Sequence, residues 1–244
     1  MALAALITIT LGCIAWSLWI RRVTWSCRWE FAATLNIALQ GVAVLLMSPV
    51  ASETIGVGLH ALTGKWNLSA YLGHDCYIVA ASAVVYNALG RLADDNTMRA
   101  SFRQYVERPA TVCIPLLLAT FTIGNGARIY RPDFFQVPTD FWLNMYWLLL
   151  CTTLIYLLVY GARALLVLRK DPRSRMMANI YLAASAAGIM ACAVRLVTAF
   201  VPPIQSVTGA NLIWIFACMC GAGFALASAR SWRIKTKWFN QVTQ

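Results

Sequence analysis

ALAALITITLGCIAWSLWIRR, residues 2–22, is a run of nineteen uncharged residues closed by two arginines. A hydrocarbon core of about 30 Å takes about 20 apolar residues in helical form. The run therefore predicts a membrane-spanning helix. Its arginines follow the apolar stretch, whereas a secretory signal carries its basic residues in front. This charge order predicts a first helix that is kept, with the N-terminus outside.

Working outward from this segment, six more apolar stretches can be read, at about 31–49, 67–89, 110–127, 141–164, 177–200 and 211–229. Basic residues fall unevenly between them. Fifteen of the 20 Lys and Arg residues lie after the first, third, fifth and seventh stretches, among them Arg21, Arg91, Arg169 and Lys235. The opposite gaps hold only Lys65, Arg128 and Arg131. Short loops rich in Lys and Arg stay cytoplasmic. The chain thus reads as an all-α polytopic membrane protein with seven transmembrane helices, its N-terminus outside and its C-terminus cytoplasmic. The setting expected is a bacterial cytoplasmic (inner) membrane.

Composition agrees. The chain is 60% hydrophobic and 12% charged, against roughly 25% charged in soluble domains. Seven spans leave only short connections, so residues 1–229 form a single bundle and 230–244 a basic-aromatic cytoplasmic tail. A net charge of +11 could suggest nucleic acid. Here the charge is divided among four segments beside spans, so topology explains it and no nucleic-acid partner is expected. The partners expected are the bilayer and its anionic inner-leaflet lipids. Trp232, Trp238 and Phe239 in the tail, with Trp16, Trp19, Trp25, Trp29, Trp66, Trp142 and Trp147, read as an interfacial aromatic belt.

The first external loop runs from Ala51 to Trp66. Ile55, Leu59 and Leu62 there fall at i, i+4 and i+7, which predicts a short interfacial helix capped by Ser52 and ended near Gly64. Pro132, Pro138, Pro202 and Pro203 end helices in the other external loops. Between Gly90 and Pro109, charges of alternating sign predict a solvated helical extension of the third span. Eight cysteines are present, seven in spans and Cys27 in a cytoplasmic loop, and they read as small packing residues.

Ionisable residues inside the bilayer are costly and therefore informative. The set is His74 and Asp75 on the third span and Arg195 on the sixth. At 1.5 Å per residue, Asp75 lies about 12 Å and Arg195 about 8 Å below the outer edge. Similar depth in the outer half predicts an intramembrane Asp75–Arg195 ion pair. Asn125, Arg128 and Asn144 share this outer half, and Asn36 and Gln40 lie mid-membrane. Two readings stand. In one, His74, Asp75, Asn125, Arg128, Asn144 and Arg195 line a polar cavity open to the outside, with an arginine meeting an anionic group. In the other, Asp75 and Arg195 hold two helices in register and His74 bonds a polar neighbour.

The sixth and seventh spans carry AASAAGIMACA (183–193) and CGAGFALASA (220–229), small on nearly every face. Such helices approach closely, either together or against a second copy or another membrane protein. No lysine falls in the seven stretches, so a retinal Schiff base has no attachment point. Zinc-protease and nucleophile-elbow motifs are lacking. No catalytic residue, metal site or cofactor is expected.

From Pro49-Val50 through Thr63-Gly-Lys-Trp-Asn-Leu-Ser-Ala-Tyr-Leu-Gly-His74, the chain resembles a group of actinobacterial and actinophage multi-pass membrane proteins of unknown function. Those carry a similar Pro-Val, then Gly-x-x-Asn-Leu-Ala and a nearby His. The regions 147–160 and 169–195 are similar in layout. The resemblance covers about a third of the chain, marks Asn67 and His74, and assigns nothing to Asp75 or Arg195. Some members are labelled transporters. The functional expectation is accordingly a non-enzymatic membrane protein with an outer-half polar cavity, a small transporter or receptor-like binder. The alternative is a phage or host interaction protein that acts on another membrane protein, for example in exclusion of other phages.

The charge asymmetry makes a direct prediction. Reporter fusions at Lys65 and Arg131 should report the outside and a fusion at Gln244 the cytoplasm; Lys65 and Gln244 on one side would contradict it.

Overall fold

The computed structural model describes residues 2–92, 94–172, 174–201 and 206–242, without the side chains of residues 28, 29 and 237–242. The expectations for Pro202, Pro203 and the side chains of Trp29, Trp238 and Phe239 lie outside the described residues.

Ten α-helices are described: α1 (Ala2–Ile20), α2 (Arg28–Met47), α3 (Pro49–Glu53), α4 (Ile55–Thr63), α5 (Leu68–Leu89), α6 (Asp95–Phe102), α7 (Arg108–Ile123), α8 (Phe141–Leu168), α9 (Arg175–Phe200) and α10 (Val207–Val242). No strand occurs among the described residues. Seven helical segments are long and apolar enough to cross a membrane, with α6 and α7 joined into one of them. The protein is an integral, multi-pass helical bundle. Large apolar side chains such as Ile9, Trp19, Val112 and Phe141 point outward, as a lipid-facing surface allows.

Local sequence explains where the helices begin and end. The expected helix ending at Gly64 is α4, but its N-cap is Thr54, with no side-chain cap bond, and not Ser52, which lies in a separate short helix, α3. Ser48 caps α3: its hydroxyl accepts from the Ala51 N–H (3.2 Å), with Pro49 in the first turn. Pro fits there because that N–H has no helical partner. Ser52 is one turn further in and buried. α4 ends at Gly64, whose φ of 68° favours glycine. The charged segment 94–107 extends the fourth span, not the third. Asp94 starts a new helix by accepting from the Thr97 N–H. Hydrogen bonding from the Thr97 side chain, and then from its N–H, holds the Asp94 carboxyl below the usual carboxylate range.

A π-turn, Arg103–Glu107, joins α6 to α7. Pro109 has no N–H to give to the Tyr105 carbonyl four residues earlier, and the ladder opens by one residue at that point. The Tyr156 hydroxyl of α8 donates to that freed Tyr105 carbonyl (2.8 Å). A sequence-local defect is thus closed by a tertiary contact.

Five helices form the wall of the bundle, in the order α2, α5, α8, α9, α10 and back to α2. α1 packs on the seam between α2 and α10, and α7 on α8 and α5. These two outer spans are the least buried of the seven. α1 and α10 run parallel: Ser17 Oγ donates to the Ala225 carbonyl (2.8 Å) and Arg21 to the Ser228 carbonyl (3.0 Å). Parallel first and last spans are what an odd number of crossings requires.

The small residues of α9 and α10 are spent on each other. A Cβ at Gly223 would stand 2.9 Å from Ala184 Cβ, and one at Gly188 would stand 3.0 Å from Cys220 Sγ and 2.9 Å from a Leu158 methyl. Gly73 gives α5 the same closeness to α2, where a Cβ would meet Met47 at 2.7 Å.

Among the described residues, Arg21 and Glu30 form a buried ion pair at the basic end. Arg21 is 1% exposed and reaches Glu30 Oε2 at 2.9 Å. It also bonds Thr34 Oγ1 (3.1 Å) and the Ser228 carbonyl, while Lys235 takes the other Glu30 oxygen. One network therefore ties α1, α2 and α10. Nothing in the spacing of Arg21 and Glu30 distinguishes them from ordinary loop charges.

Removing one partner of a buried pair leaves an uncompensated charge, which costs about 3–5 kcal/mol. Arg21→Met and Glu30→Leu should each lower the melting temperature in detergent sharply. The double variant should be less damaged than the two losses added.

Candidate functional site

A cavity of about 90 Å³ lies inside the five-helix wall, towards the end opposite the basic clamp. That is well above the ~10–15 Å³ that admits one water. Its lining is almost wholly apolar and aromatic, with Leu150, Leu154, Ile213, Trp147 and Trp214 among it. Gln40, His74 and Arg195 supply the polarity.

One end of the cavity is lined by a loop that turns into the bundle. After α7, a 3₁₀ turn at Phe134–Gln136 buries both phenylalanines. Asp133 caps this turn, accepting from the Phe135 N–H (3.1 Å) and from Gln136 Nε2 (3.2 Å). Phe135 packs on Trp147 and Trp214 at ring separations of 5.7 Å each. Burial raises the Asp133 carboxyl above its usual range; the Phe135 N–H, Gln136, Trp214 and the Arg195 charge pull the other way.

Arg195 sits on α9 with 2% of its surface exposed. Its guanidinium carbon stands 4.0 Å from the Trp147 ring centre and 5.9 Å from that of Phe135. Nη1 donates to the Phe135 carbonyl (3.1 Å), with Thr198 Oγ1 at 3.5 Å. Nε and Nη2 are buried and have no hydrogen-bond partner. Aromatic faces stabilise a cation, but they leave its N–H groups unfilled. The indole nitrogen of Trp147 is likewise buried without an acceptor, whereas that of Trp214 is directed at the Asp133 carboxylate. Two side chains around one cavity, Arg195 and Trp147, thus present unused donors.

His74 faces Arg195 across this space and feels its charge. Its Nδ1 shares a 2.6 Å hydrogen bond with the Tyr146 hydroxyl, and its ring meets Trp147 edge-on at 5.2 Å.

The expected Asp75–Arg195 pair is not made. Asp75 interacts with the Tyr71 hydroxyl one turn earlier on α5, and its Oδ1 is buried without a hydrogen bond. The reason is angular. Consecutive helical residues project about 100° apart. With His74 turned into the cavity, Asp75 is carried towards α7, where Tyr71 reaches the Ile114 carbonyl. α8 stands between α5 and α9, so similar depth does not bring the two charges together. The carboxylate that Arg195 feels is Asp133.

The other expected residues divide likewise. Asn125, Arg128 and Asn144 do not line the cavity. Asn125 ties the loop instead, donating to the Pro138 carbonyl (3.2 Å) while its N–H meets Asp140. Arg128 is exposed, and Asn144 sits one turn into α8 with a buried, unbonded Oδ1. Asn67 is a clasp: in left-handed conformation (φ 55°), it donates to the Gly126 and Ile129 carbonyls at 2.7 and 2.8 Å. The sequence reading missed Asp133, Phe135 and Trp214. Only the burial-prone Asp-Phe-Phe run in a short loop could have signalled the first two.

No family model, curated protein or solved structure matches the chain.

A double-mutant cycle separates the two carboxylates. Asp75→Asn and Arg195→Gln should add within about 0.5 kcal/mol, whereas Asp133→Asn and Arg195→Gln should couple by about 0.5–3 kcal/mol, read from detergent melting.

Proposed function

We propose that this integral membrane protein binds a small anion in the central cavity, with Arg195 as its anchor, as a transporter or receptor-like element and not an enzyme. The observation that carries this reading is the pair of buried, unpartnered Arg195 nitrogens beside a cavity. Buried charged donors left unfilled are strongly unfavourable. A compact anion accepting from Nε and Nη2 together would fill both in the bidentate geometry that guanidinium favours. The Trp147 indole N–H adds a donor from the same wall, and the apolar lining would strengthen each of these bonds by excluding water.

The reading also gives Asp133 a part. Its carboxylate is the acidic group near Arg195 and competes with an incoming anion for the cation's field. The rival reading relied on the small-residue faces of α9 and α10 as a docking surface for another membrane protein. Those faces are occupied within the bundle, at Gly188 and Gly223, and the anion reading is preferred for that reason.

The test is titration of the detergent-solubilised protein with chloride, nitrate and formate, followed by tryptophan fluorescence and melting temperature, with gluconate as an anion too large to enter. Binding should saturate for the small anions and disappear in Arg195→Gln. In Asp133→Asn, which keeps an acceptor for the Phe135 N–H, it should tighten. Unchanged binding in Arg195→Gln, or none in the wild type, would refute the proposal.

A further inference from the structure

Beyond this cavity the bundle holds a second one, of about 170 Å³, at the basic end. It differs in character: Asn36, Asn87, Ser231, Arg91 and Lys235 are on its walls. A third hollow of about 160 Å³ shares Asn87, Arg91 and Lys235 with it and widens the same mouth. The two main cavities are not separate features on different sides of the protein. Both are lined by α2, α5, α8, α9 and α10, and they meet at Val84, which lines both.

They lie in series along α5. His74 lines the first and Ala88 the second, a distance of about 21 Å at the helical rise. That is most of a hydrocarbon core of about 30 Å. Where they meet, apolar and aromatic side chains from α5, α8, α9 and α10 fill the space, while on α2 Gln40 of the first cavity donates to Asn36 of the second (2.7 Å). Val84, Leu158, Phe224 and Tyr181 form one buried cluster, with the Tyr181 and Phe224 rings 5.6 Å apart. Leu158 and Phe224 face the first cavity and Tyr181 the second.

From this arrangement we infer that the five-helix wall encloses a permeation path for small monovalent anions, closed at its middle by the plug of Val84, Leu158, Tyr181 and Phe224. The inference rests on the anion reading of Arg195. An apolar constriction blocks ions by excluding water, without needing to be sterically sealed. Arg195 lies beyond the plug, and Arg91 and Lys235 stand at the basic mouth, where Glu30, paired with Lys235, and Asp95 share the walls of the wider hollow. The fifteen basic residues of that end, among them Arg91 and Lys235, would raise the local anion concentration.

The test uses the full chain in proteoliposomes, with efflux of trapped chloride followed by electrode and potassium with valinomycin supplied for charge balance. The wild type should leak slowly. Phe224→Ala should raise chloride efflux by roughly tenfold or more, because the dewetted constriction sets the barrier, and should leave gluconate trapped. Adding Arg195→Gln to it should return efflux to the wild-type rate. Val84→Ser and Leu158→Ser wet the same plug from α5 and α8, and give the answer if Phe224→Ala does not fold. Folded plug variants that stay tight while chloride still binds with wild-type affinity would overturn the path and leave the binding site standing. Loss of chloride binding in the wild type would overturn both. Equal efflux of chloride and gluconate would mark a nonselective leak and overturn the path.

Discussion

The hydrocarbon core offers no water, and every polar group placed in it must find a partner within the protein. Most of the structure is an answer to that constraint. The carbonyl released by Pro109 is met by a tyrosine from another helix. Two loop carbonyls before α8 are met by Asn67, which accepts a left-handed backbone to reach them. Asp140 caps α8 and at the same time ties down the end of α7. These contacts fix how the spans meet at their ends. Along their length, the close approach of α9 to α10 and of α5 to α2 is set by glycines that no larger residue could replace without displacing a neighbour.

Two deeply buried arginines show how far the constraint is met. Arg21 is surrounded by a carboxylate, a hydroxyl and a carbonyl, and the network around it joins three helices. Arg195 is as deeply buried but keeps two nitrogens empty, with aromatic rings where acceptors would be expected. One end of the bundle is electrostatically complete and the other is not. The empty nitrogens of the incomplete end border a hollow of suitable size, and this juxtaposition is the strongest functional signal in the molecule.

Much was legible in the chain. Seven apolar stretches of spanning length are a matter of composition, and the observed spans start and stop within a few residues of the expected bounds, apart from the fourth, which begins at Asp95, and the last, which runs on through the tail. Gly64 as a helix end and the close fit of α9 and α10 could be read because each depends on local residue type. His74 and Arg195 could be singled out because ionisable residues in a span are rare. Which of them face each other could not. Depth along a helix is a linear property of sequence. Azimuth depends on how each helix is rotated and on which neighbours flank it.

The Asp75–Arg195 expectation failed on that point: the two residues are at similar depth but lie on opposite sides of α8, and Asp133, from a loop with no periodicity to read, came nearer. Arg21 and Glu30 looked like solvated loop charges because nothing local distinguishes a clamp from a flank. The sequence by itself determined that the chain spans a membrane seven times, since burial of apolar residues and exclusion of charge act on each segment separately. The tertiary structure alone decided that five of those helices enclose two cavities, which cation is satisfied and which is left open, because those follow from side chains brought together from distant parts of the chain.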